Sequence, residues 1–512
     1  MSTEQVSSAT VQEWRPRANP WWICAAVMLA TIIEVLDTTI ASVSVPNIAG
    51  NLGVTNHEGT WVITSYLVAN AILLPATAWL GSFFGRKRLL LICIFIFTLA
   101  SVMCGLANSF GFLLVARVLQ GFGGAALPPL AQAILMESFP KEKRGMAMAV
   151  YITGLVMAPI LGPILGGWLT DNFSWRWIFL INIPIGALAL FMANVFVEDP
   201  PYLKKGNASS IDYVGFCLMA LGLAVLEIIL DKGQTEDWFQ ATWICWSAVT
   251  VVVSLTSFVI WELRQKHPVV DLRVFRDRNF FSGQIITFLL GAIMYGAITV
   301  IPLFFQTLMG YTAYLSGVAQ LSLGLGMFLG SMVVGVLMGK VDGRLFLLAG
   351  LLLICAGCGW IAATINPGIG MEHIALPFCV LGMGICVAFV PLTTLALGML
   401  RNEDMGNGSG IFNLMRNIGG SAGIALVTTV IARMGQVHQD SLVSHLTQYD
   451  PVYQEAIRTQ GQNAYGSMYQ ELMRQAMMLS YIDVFIWIAI LAACCMPFVL
   501  LFRKVSGAVM AH

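Results

Sequence analysis

The chain alternates fourteen apolar runs of about twenty residues with mostly short polar connections. A helix rises 1.5 Å per residue, so a run of about twenty residues is long enough to cross a hydrocarbon core of about 30 Å. Only 11% of the 512 residues are charged and 58% are hydrophobic, whereas about a quarter are charged in a typical soluble domain. The pattern therefore predicts an all-α polytopic membrane protein.

Apolar runs bounded by charge, glycine or proline predict spans at 21–45, 60–81, 88–107, 110–136, 145–170, 176–197, 211–231, 241–262, 281–303, 314–338, 344–364, 374–399, 407–433 and 480–502. An even number of spans places both termini on one side. Lysine and arginine concentrate in the connections on that side, so we expect it to be cytoplasmic. No apolar core precedes Trp21, so no cleavable signal peptide is expected, and residues 1–20 are predicted to form a cytoplasmic tail.

A weak internal repeat relates the first and second halves of the chain. A shift of about 258 residues superposes Gly81, Gly85 and Arg86 on Gly339, Gly343 and Arg344, and a shift of 257 superposes Gly162 and Gly166 on Gly419 and Gly423. This register predicts two six-helix bundles, 21–200 and 271–512, separated by an inserted two-helix segment, 201–270.

The segment 435–479 is predicted to be a long outer loop, because it is polar and exceeds the other outer connections in length. Two interpretations stay open: a solvated loop with an amphipathic helix near Tyr453 to Met478, or a docking surface for an extracytoplasmic partner.

Sequence patterns give no support for an enzyme or a metalloprotein. The eleven cysteines lie almost entirely in apolar runs, and Cys355 and Cys358 have metal spacing but no second pair, which favours packing. Glycines 324, 326 and 330 lie in an apolar helix rather than after a strand, and neither a phosphate loop nor a zinc-binding His-Glu-x-x-His pattern occurs. We expect no metal, no cofactor and no catalytic residues.

Asp37 and Arg117 are ionisable groups inside predicted spans, where a charge costs at least a few kcal/mol. Both lie roughly 12 to 13 Å from the outer ends of their helices, so they should lie at similar depth. Glu34 shares a helix face with Asp37, and two neighbouring carboxylates do not readily ionise together. These three residues are the candidates for taking up and releasing a proton. A static ion pair between Asp37 and Arg117 remains the alternative.

Three other charged residues are harder to interpret. Glu227 and Asp231 lie near the end of a predicted inserted helix, which favours a structural or peripheral role. Arg416 lies close to the glycines of the thirteenth span and could face either an anionic substrate or the cytoplasmic vestibule. No acidic residue lies near Tyr295, the repeat position of Asp37, so proton chemistry is expected only in the first half.

The fifth span carries a stripe of small and bending residues: Gly154, Pro159, Gly162, Pro163, Gly166 and Gly167. Glycines four positions apart form a groove that allows close approach of another helix, and the prolines permit bending. Such a stripe is consistent with packing or with a part in the mechanism.

The sequence resembles the drug/proton antiporters of the major facilitator superfamily in three motifs: Leu36-Asp37-Thr38-Thr39-Ile40 running to Val45-Pro46, Arg117-Val-Leu-Gln120-Gly121, and the Gly-Pro-x-x-Gly-Gly stretch of the fifth span. Fourteen spans point to the second drug/proton antiporter family. The EmrB-type multidrug pumps are more similar still, in Gly59-Thr-Trp61-Val-Ile-Thr-Ser65, Trp177-Ile-Phe-Leu-Ile-Asn182-Ile-Pro184 and Pro268-Val-Val-Asp271-Leu.

One departure from the family pattern concerns the loop after the second span. Ser82 stands where the family has an aspartate, and Ala78 replaces the first glycine. Gly85, Arg86 and Lys87 are retained as a cytoplasmic gate loop. The resemblance therefore leaves the acidic latch of this gate in doubt.

By resemblance, the protein is expected to be a proton-driven efflux transporter of hydrophobic, often weakly acidic toxic compounds in a bacterial inner membrane. The proton would be the coupling ion, membrane lipid would surround the chain, and no nucleic acid is an expected partner. A periplasmic membrane-fusion adaptor and an outer-membrane channel are the implied partners. The alternatives are a major facilitator transporter of one specific metabolite and a receptor that binds a ligand without moving it.

Overall fold

A computed structural model describes residues 16–199, 212–265, 268–338, 340–366, 368–398, 400–401, 404–445, 451–460 and 463–502. Residues 1–15 of the predicted cytoplasmic tail and residues 201–211 of the predicted inserted segment fall outside these residues.

Thirteen helices in the described residues are long and apolar enough to cross a membrane, and a bent pair provides a fourteenth span. They are α1 Pro20–Leu52, α2 Trp61–Leu73 with Thr77–Phe84, α3 Arg86–Gly105, α4 Phe110–Ser138, α5 Lys143–Asn172, α6 Trp177–Phe196, α7 Tyr213–Lys232, α8 Thr242–Arg264, α9 Arg278–Leu308, α10 Tyr314–Leu337, α11 Gly343–Thr364, α12 Met371–Leu397, α13 Met405–Ser444 and α14 Ala464–Val499. The predicted all-α polytopic fold is confirmed.

The α2 helix bends by 62° between its two parts. Pro75 lies at this break and has no backbone N–H to continue the helical ladder. The bend directs the second part of α2 towards α13 and α4, which it contacts.

Helix ends gather on two opposite faces. The start of α1 meets the end of α6 through the Arg17 amide, which donates to Glu198 (3.3 Å). On the other side, the Arg176 guanidinium donates to the Ala107 carbonyl (3.0 Å), which joins the start of α6 to the end of α3. We call the face with the start of α1 the terminal face, and the opposite one the far face.

The glycines related by the internal repeat lie in equivalent helix pairs. Gly162 and Gly166 of α5 face α1, and a Cβ at Gly166 would lie 3.0 Å from the Ile40 carbonyl oxygen. Gly419 and Gly423 of α13 face α9 in the same way, packed on the backbone of Phe288 and Ala292. The first and second halves of the chain thus show the same close packing of two helices.

The inserted helix α7 lies in the seam between α2 and α13 and contacts both. Towards α2, Thr64 Oγ1 donates to Asp231 (2.7 Å) and Lys232 donates to Thr60 (2.7 Å). Towards α13, Ser421 Oγ donates to Glu227 (2.5 Å), whose side chain is buried. Of the structural or peripheral role expected for Glu227, the buried contact with Ser421 favours the structural one, because α7 packs between the two halves.

The segment 435–479, predicted to be a loop, is helical over most of its length. The α13 helix continues to Ser444, α14 begins at Ala464, and a separate helix, Pro451–Gln460, lies between them. The 40 residues of α13 measure about 60 Å, roughly twice the thickness of a hydrocarbon core. His438 of α13 lies 2.7 Å from Asp483 of α14, so the two helices contact each other near this end.

We call residues 434–444 and 463–479 together the helical extension. Residues 446–450 and 461–462 of the predicted outer loop lie outside the described residues. Tyr465 and Tyr469 lie on the extension, and each is 57% exposed. Helices thus form most of the segment that the polar composition predicted to be an outer loop, which agrees with the amphipathic helix of the first interpretation.

Candidate functional site

Asp37 of α1 and Arg117 of α4 form a direct ion pair in the interior of the first half. Their relative exposures are 1% and 0%. The second carboxylate oxygen of Asp37 accepts from Gln120 (2.8 Å) and Asn182 (2.7 Å), and Ser101 accepts from both of these amides (2.9 Å each). The structure therefore brings together the two residues predicted to lie at one depth.

The Arg117 guanidinium has further partners on α2. Its Nε donates to the Val62 carbonyl (2.8 Å), and its carbon lies 4.5 Å from the centre of the Tyr66 ring. We call Asp37, Ser101, Arg117, Gln120 and Asn182 the buried polar network. It joins α1, α3, α4 and α6.

Glu34 belongs to a separate set of contacts. It accepts from the Tyr66 hydroxyl (3.3 Å) and from Asn70 Nδ2 (3.2 Å), both on α2. Although Glu34 and Asp37 lie one turn apart on α1, one carboxylate is held by α2 and the other by α4 and α6.

A polar chain continues from Glu34 into the second half. Asn70 Oδ1 accepts from Asn417 (3.3 Å), and Asn417 Oδ1 accepts from the guanidinium of Arg416 (3.4 Å). Arg416 is 2% exposed and lines a cavity of about 20 Å³ with Tyr295. The Arg416 side chain therefore lies buried beside this cavity.

The small residues of α5 pack against α1. A Cβ on Gly162 would collide with the Thr39 side chain, and one on Gly154 would lie 2.7 Å from the Met28 sulfur. The helix runs without a break through Pro159 and Pro163, and Gly167 is buried beside Gly166. Pro159 also lines the cavity that contains Arg416.

The gate loop has acidic partners despite the serine at position 82. Gly85 has φ +84°, and a Cβ there would lie 2.7 Å from an Asp199 oxygen, so glycine suits this position. Arg86 forms a buried ion pair with Glu137 at the end of α4, and the Lys87 amide donates to Asp199 (2.8 Å). Acidic groups at the end of α4 and after the end of α6 thus contact this loop, although Ser82 replaces the aspartate of the family pattern.

The two halves are clamped together on the terminal side of Arg416. Asn413 of α13 donates to Gln132 of α4 (2.8 Å), and Ser409 donates to the carbonyl of Pro129 (3.1 Å). The side chains of Ser409, Asn413 and Gln132 are fully buried. The path from the terminal face to the cavity is therefore closed between α4 and α13.

The model of the Major Facilitator Superfamily matches residues 27–424. The chain belongs to this superfamily. It is 40% identical to the multidrug export protein EmrB of Haemophilus influenzae over 84% of each chain, and 37% identical to the fatty acid resistance protein FarB of Neisseria gonorrhoeae over 85% of each. The solved structure of the human organic anion transporter MFSD10 aligns with a TM-score of 0.59 at 15% identity, covering 93% of this chain and 100% of that one.

Membership and similarity confirm the resemblance to EmrB-type multidrug pumps. They support multidrug efflux as the activity of this major facilitator protein, and a bacterial inner membrane as its location. The fold and the family indicate a transporter. Within the described residues, no group of three or more His, Cys, Asp or Glu is placed to hold a metal ion.

The sequence alone did not identify several members of the buried polar network and of the polar chain from Glu34 to Arg416. Gln120 and Asn182 lie inside the motifs that carried the family resemblance, yet neither was assigned a contact. Ser101, Asn70 and Asn417 lie in apolar helices without any distinguishing spacing. A search for uncharged amide side chains within predicted spans would have found four of these five residues.

Proposed function

We propose that the protein exports hydrophobic, weakly acidic compounds in exchange for protons, by alternating access of a site between its two halves. The buried Asp37–Arg117 pair is the observation that carries this proposal. A buried pair inside a membrane is costly to build, and hydrophobic residues of similar volume often pack at least as well. The network therefore favours a role beyond holding α1 against α4.

Protonation of Asp37 is the proposed coupling step. The ionised carboxylate accepts from Arg117, Gln120 and Asn182. A neutral carboxyl attracts the guanidinium far less, so proton uptake would loosen α1 from α4 and α6. Because Gly162 and Gly166 hold α5 closely on α1, movement of α1 would pass to α5.

The terminal face is proposed to be cytoplasmic, with both chain termini there. Arg86 and Lys87 lie on this face, as the positive-inside rule requires. In this orientation the clamp between α4 and α13 closes the cytoplasmic side. One proton entering the cell supplies roughly 2.3 kcal/mol per 100 mV and about 1.4 kcal/mol per pH unit.

A periplasmic adaptor and an outer-membrane channel are proposed as partners that take the substrate onward. The helical extension lies at the far face, which is periplasmic in this orientation. Its exposed Val437, Val443, Tyr465 and Tyr469 offer apolar and aromatic contact area of the kind found in protein interfaces.

The weakly acidic substrate class is supported by the name of one relative. The Neisseria gonorrhoeae protein is called a fatty acid resistance protein, and fatty acids combine a carboxylate with a hydrocarbon chain. Hydrophobic compounds of this kind suit a cavity with largely apolar walls.

The purified protein in liposomes provides the test. A proton gradient of either direction is imposed, and a panel of hydrophobic dyes and weak acids is followed for uphill movement. The wild type should move several of these compounds only when a gradient is present. Asp37→Asn should lose this movement while remaining folded, because an amide keeps the shape but exchanges no proton.

Asp171→Asn is the matched control, because Asp171 is an exposed carboxylate at the far end of α5. It should transport like the wild type. Uphill transport by a folded Asp37→Asn variant at the wild-type rate would contradict the assignment. Response to a single compound of the panel would instead indicate a transporter of one metabolite.

A further inference from the structure

Arg416 differs from the other buried arginines in the described residues. Arg117 contacts Asp37 and Arg86 contacts Glu137, whereas Arg416 has no carboxylate in contact. Only its Nη2 has a partner, the Asn417 side chain, and its buried Nε and Nη1 have none. Guanidinium is always charged and presents donors that match a carboxylate in pairs. The charge and the unpartnered Nε and Nη1 of this buried guanidinium suit an anionic group.

The cavity beside Arg416 has walls from both halves. Val35 of α1 and Leu155 of α5 belong to the first half, and Tyr295 of α9 and Phe389 of α12 belong to the second. Apart from Arg416 and the Tyr295 hydroxyl, its lining is apolar. This chemistry suits an amphiphile with an anionic head and a hydrocarbon or aromatic body.

The present cavity is too small for such a molecule. Its volume of about 20 Å³ is close to that of a single water-sized group. Arg416 lies about 16 Å along α13 from Met405, beyond the clamp formed by Ser409 and Asn413. Separation of α13 from α4 would therefore open the path to Arg416 from the terminal face.

Glu34 is the carboxylate connected to Arg416 across the halves. The connection passes through Asn70 and Asn417, and the charges of Glu34 and Arg416 interact electrostatically. The titratable groups that face this pair are Asp37 on α1, Tyr66 on α2, Tyr151 on α5 and Tyr295 on α9. None of them is a second cation.

We propose that Arg416 binds the carboxylate of the exported amphiphile, and that this carboxylate competes with Glu34 for the positive charge of Arg416. Without substrate, Arg416 compensates the negative charge of Glu34. With substrate bound, Glu34 loses that compensation. The inference rests on the proposed function and assigns its substrate-recognition residue.

Equilibrium binding to the protein in lipid nanodiscs tests the inference without any gradient. Three probes share one ring system: 2-naphthoate, neutral 2-naphthamide and the cation 2-naphthyltrimethylammonium. Calorimetry at neutral pH should give about tenfold or more weaker binding of 2-naphthoate to Arg416→Gln, because a charge-assisted hydrogen bond is lost. Affinity for 2-naphthamide should not change. The affinity of Arg416→Lys for 2-naphthoate should lie between those of the wild type and Arg416→Gln, because lysine keeps the charge but not the paired donors.

Glu34→Gln tests the competition. Removing the rival carboxylate should raise the affinity for 2-naphthoate several-fold, and weaker binding would contradict the competition. Equal losses for 2-naphthoate and 2-naphthamide in Arg416→Gln would show that Arg416 only supports the fold. If Arg416→Gln does not fold, wild-type affinity for 2-naphthoate in Arg416→Lys would overturn the paired-donor recognition.

These outcomes are separable from those of the proposed function. Gradient-driven transport by the wild type with unchanged 2-naphthoate affinity in Arg416→Gln would reject this inference alone. If Arg416→Gln binds 2-naphthoate more weakly but the wild type shows no gradient-driven transport, proton coupling alone is rejected.

Discussion

The two halves of the molecule share helix packing but differ in the chemistry of their interiors. In the first half, Asp37 and Arg117 are bonded within a network from four helices. A shift of 258 residues places Tyr295, Ala375 and Phe378 where Asp37, Arg117 and Gln120 stand. Phe378 packs at ring-centroid distances of 5.9 Å from Phe305 and 6.4 Å from Phe485. An aromatic cluster thus occupies the second half where the first has charge.

The shared feature is the close approach of two helix pairs, α1 with α5 and α9 with α13. Both pairs use glycines at the contact. The difference teaches that close glycine packing recurs in both halves, whereas a buried pair of opposite charges at these repeat positions occurs in the first. Arg416, which falls on Pro159 in the repeat, places an uncompensated positive charge in the second half. We therefore propose that the first half handles protons and that the second half recognises the substrate.

The largest effect is expected from breaking the charged pair. Arg117→Ala should abolish gradient-driven uptake in liposomes, because it leaves the Asp37 carboxylate buried without its counter-charge. Such a change typically costs about 3–5 kcal/mol of stability, so thermal unfolding is measured in parallel. The double variant Asp37→Asn with Arg117→Ala should fold better than Arg117→Ala but still lack uphill transport. Recovered transport in the double variant would show that the pair is a static ion pair.

A smaller but still large effect is expected from filling the glycine contacts. Gly162→Leu should block turnover in liposomes with little loss of 2-naphthoate binding, because the leucine would enter the space of Thr39. Gly419→Leu should behave alike, since its Cβ would meet the Phe288 backbone. Gly359→Leu on α11 is the control, because nothing lies within 4 Å of a Cβ there. Normal turnover in both test variants would show that the contacts do not limit the cycle.

The smallest effect on transport itself is expected from the helical extension. The double variant Tyr465→Ser with Tyr469→Ser should lower drug resistance in cells with an intact outer membrane, yet transport normally in liposomes. Tyr314→Ser is the control, because Tyr314 is an exposed tyrosine at the far-face end of α10. Parallel loss of both activities would place the extension in the transport machinery, and loss of neither would remove the support for adaptor docking.

The sequence was sufficient for the helices and for part of the site. Apolar length predicted fourteen spans, and helix rise placed Asp37 and Arg117 at one depth. The extension of α13 and α14 was predicted to be a loop because its residues are polar, although a polar helix pair can be stabilised by mutual contacts such as His438 with Asp483. The acidic partners of the gate loop were not predicted, because Glu137 and Asp199 belong to other helices and meet it only in the fold.

The buried position of Arg416 could not be predicted from the sequence, because it depends on how the two halves pack together. Its burial follows from the approach of α13 to α2 and α4, and no local pattern encodes that approach. The same holds for Glu227, whose contact with Ser421 requires α7 to lie in the seam.

The central claim, that protons act in the first half and substrate binds in the second, is tested most directly by exchange of labelled for unlabelled 2-naphthoate across liposomes without a gradient. Exchange requires substrate binding and alternating access but no net proton movement. Asp37→Asn should therefore exchange 2-naphthoate at a rate close to the wild type, whereas Arg416→Gln should lose most of the exchange. Loss of exchange in folded Asp37→Asn, together with normal exchange in Arg416→Gln, would contradict this division between the halves.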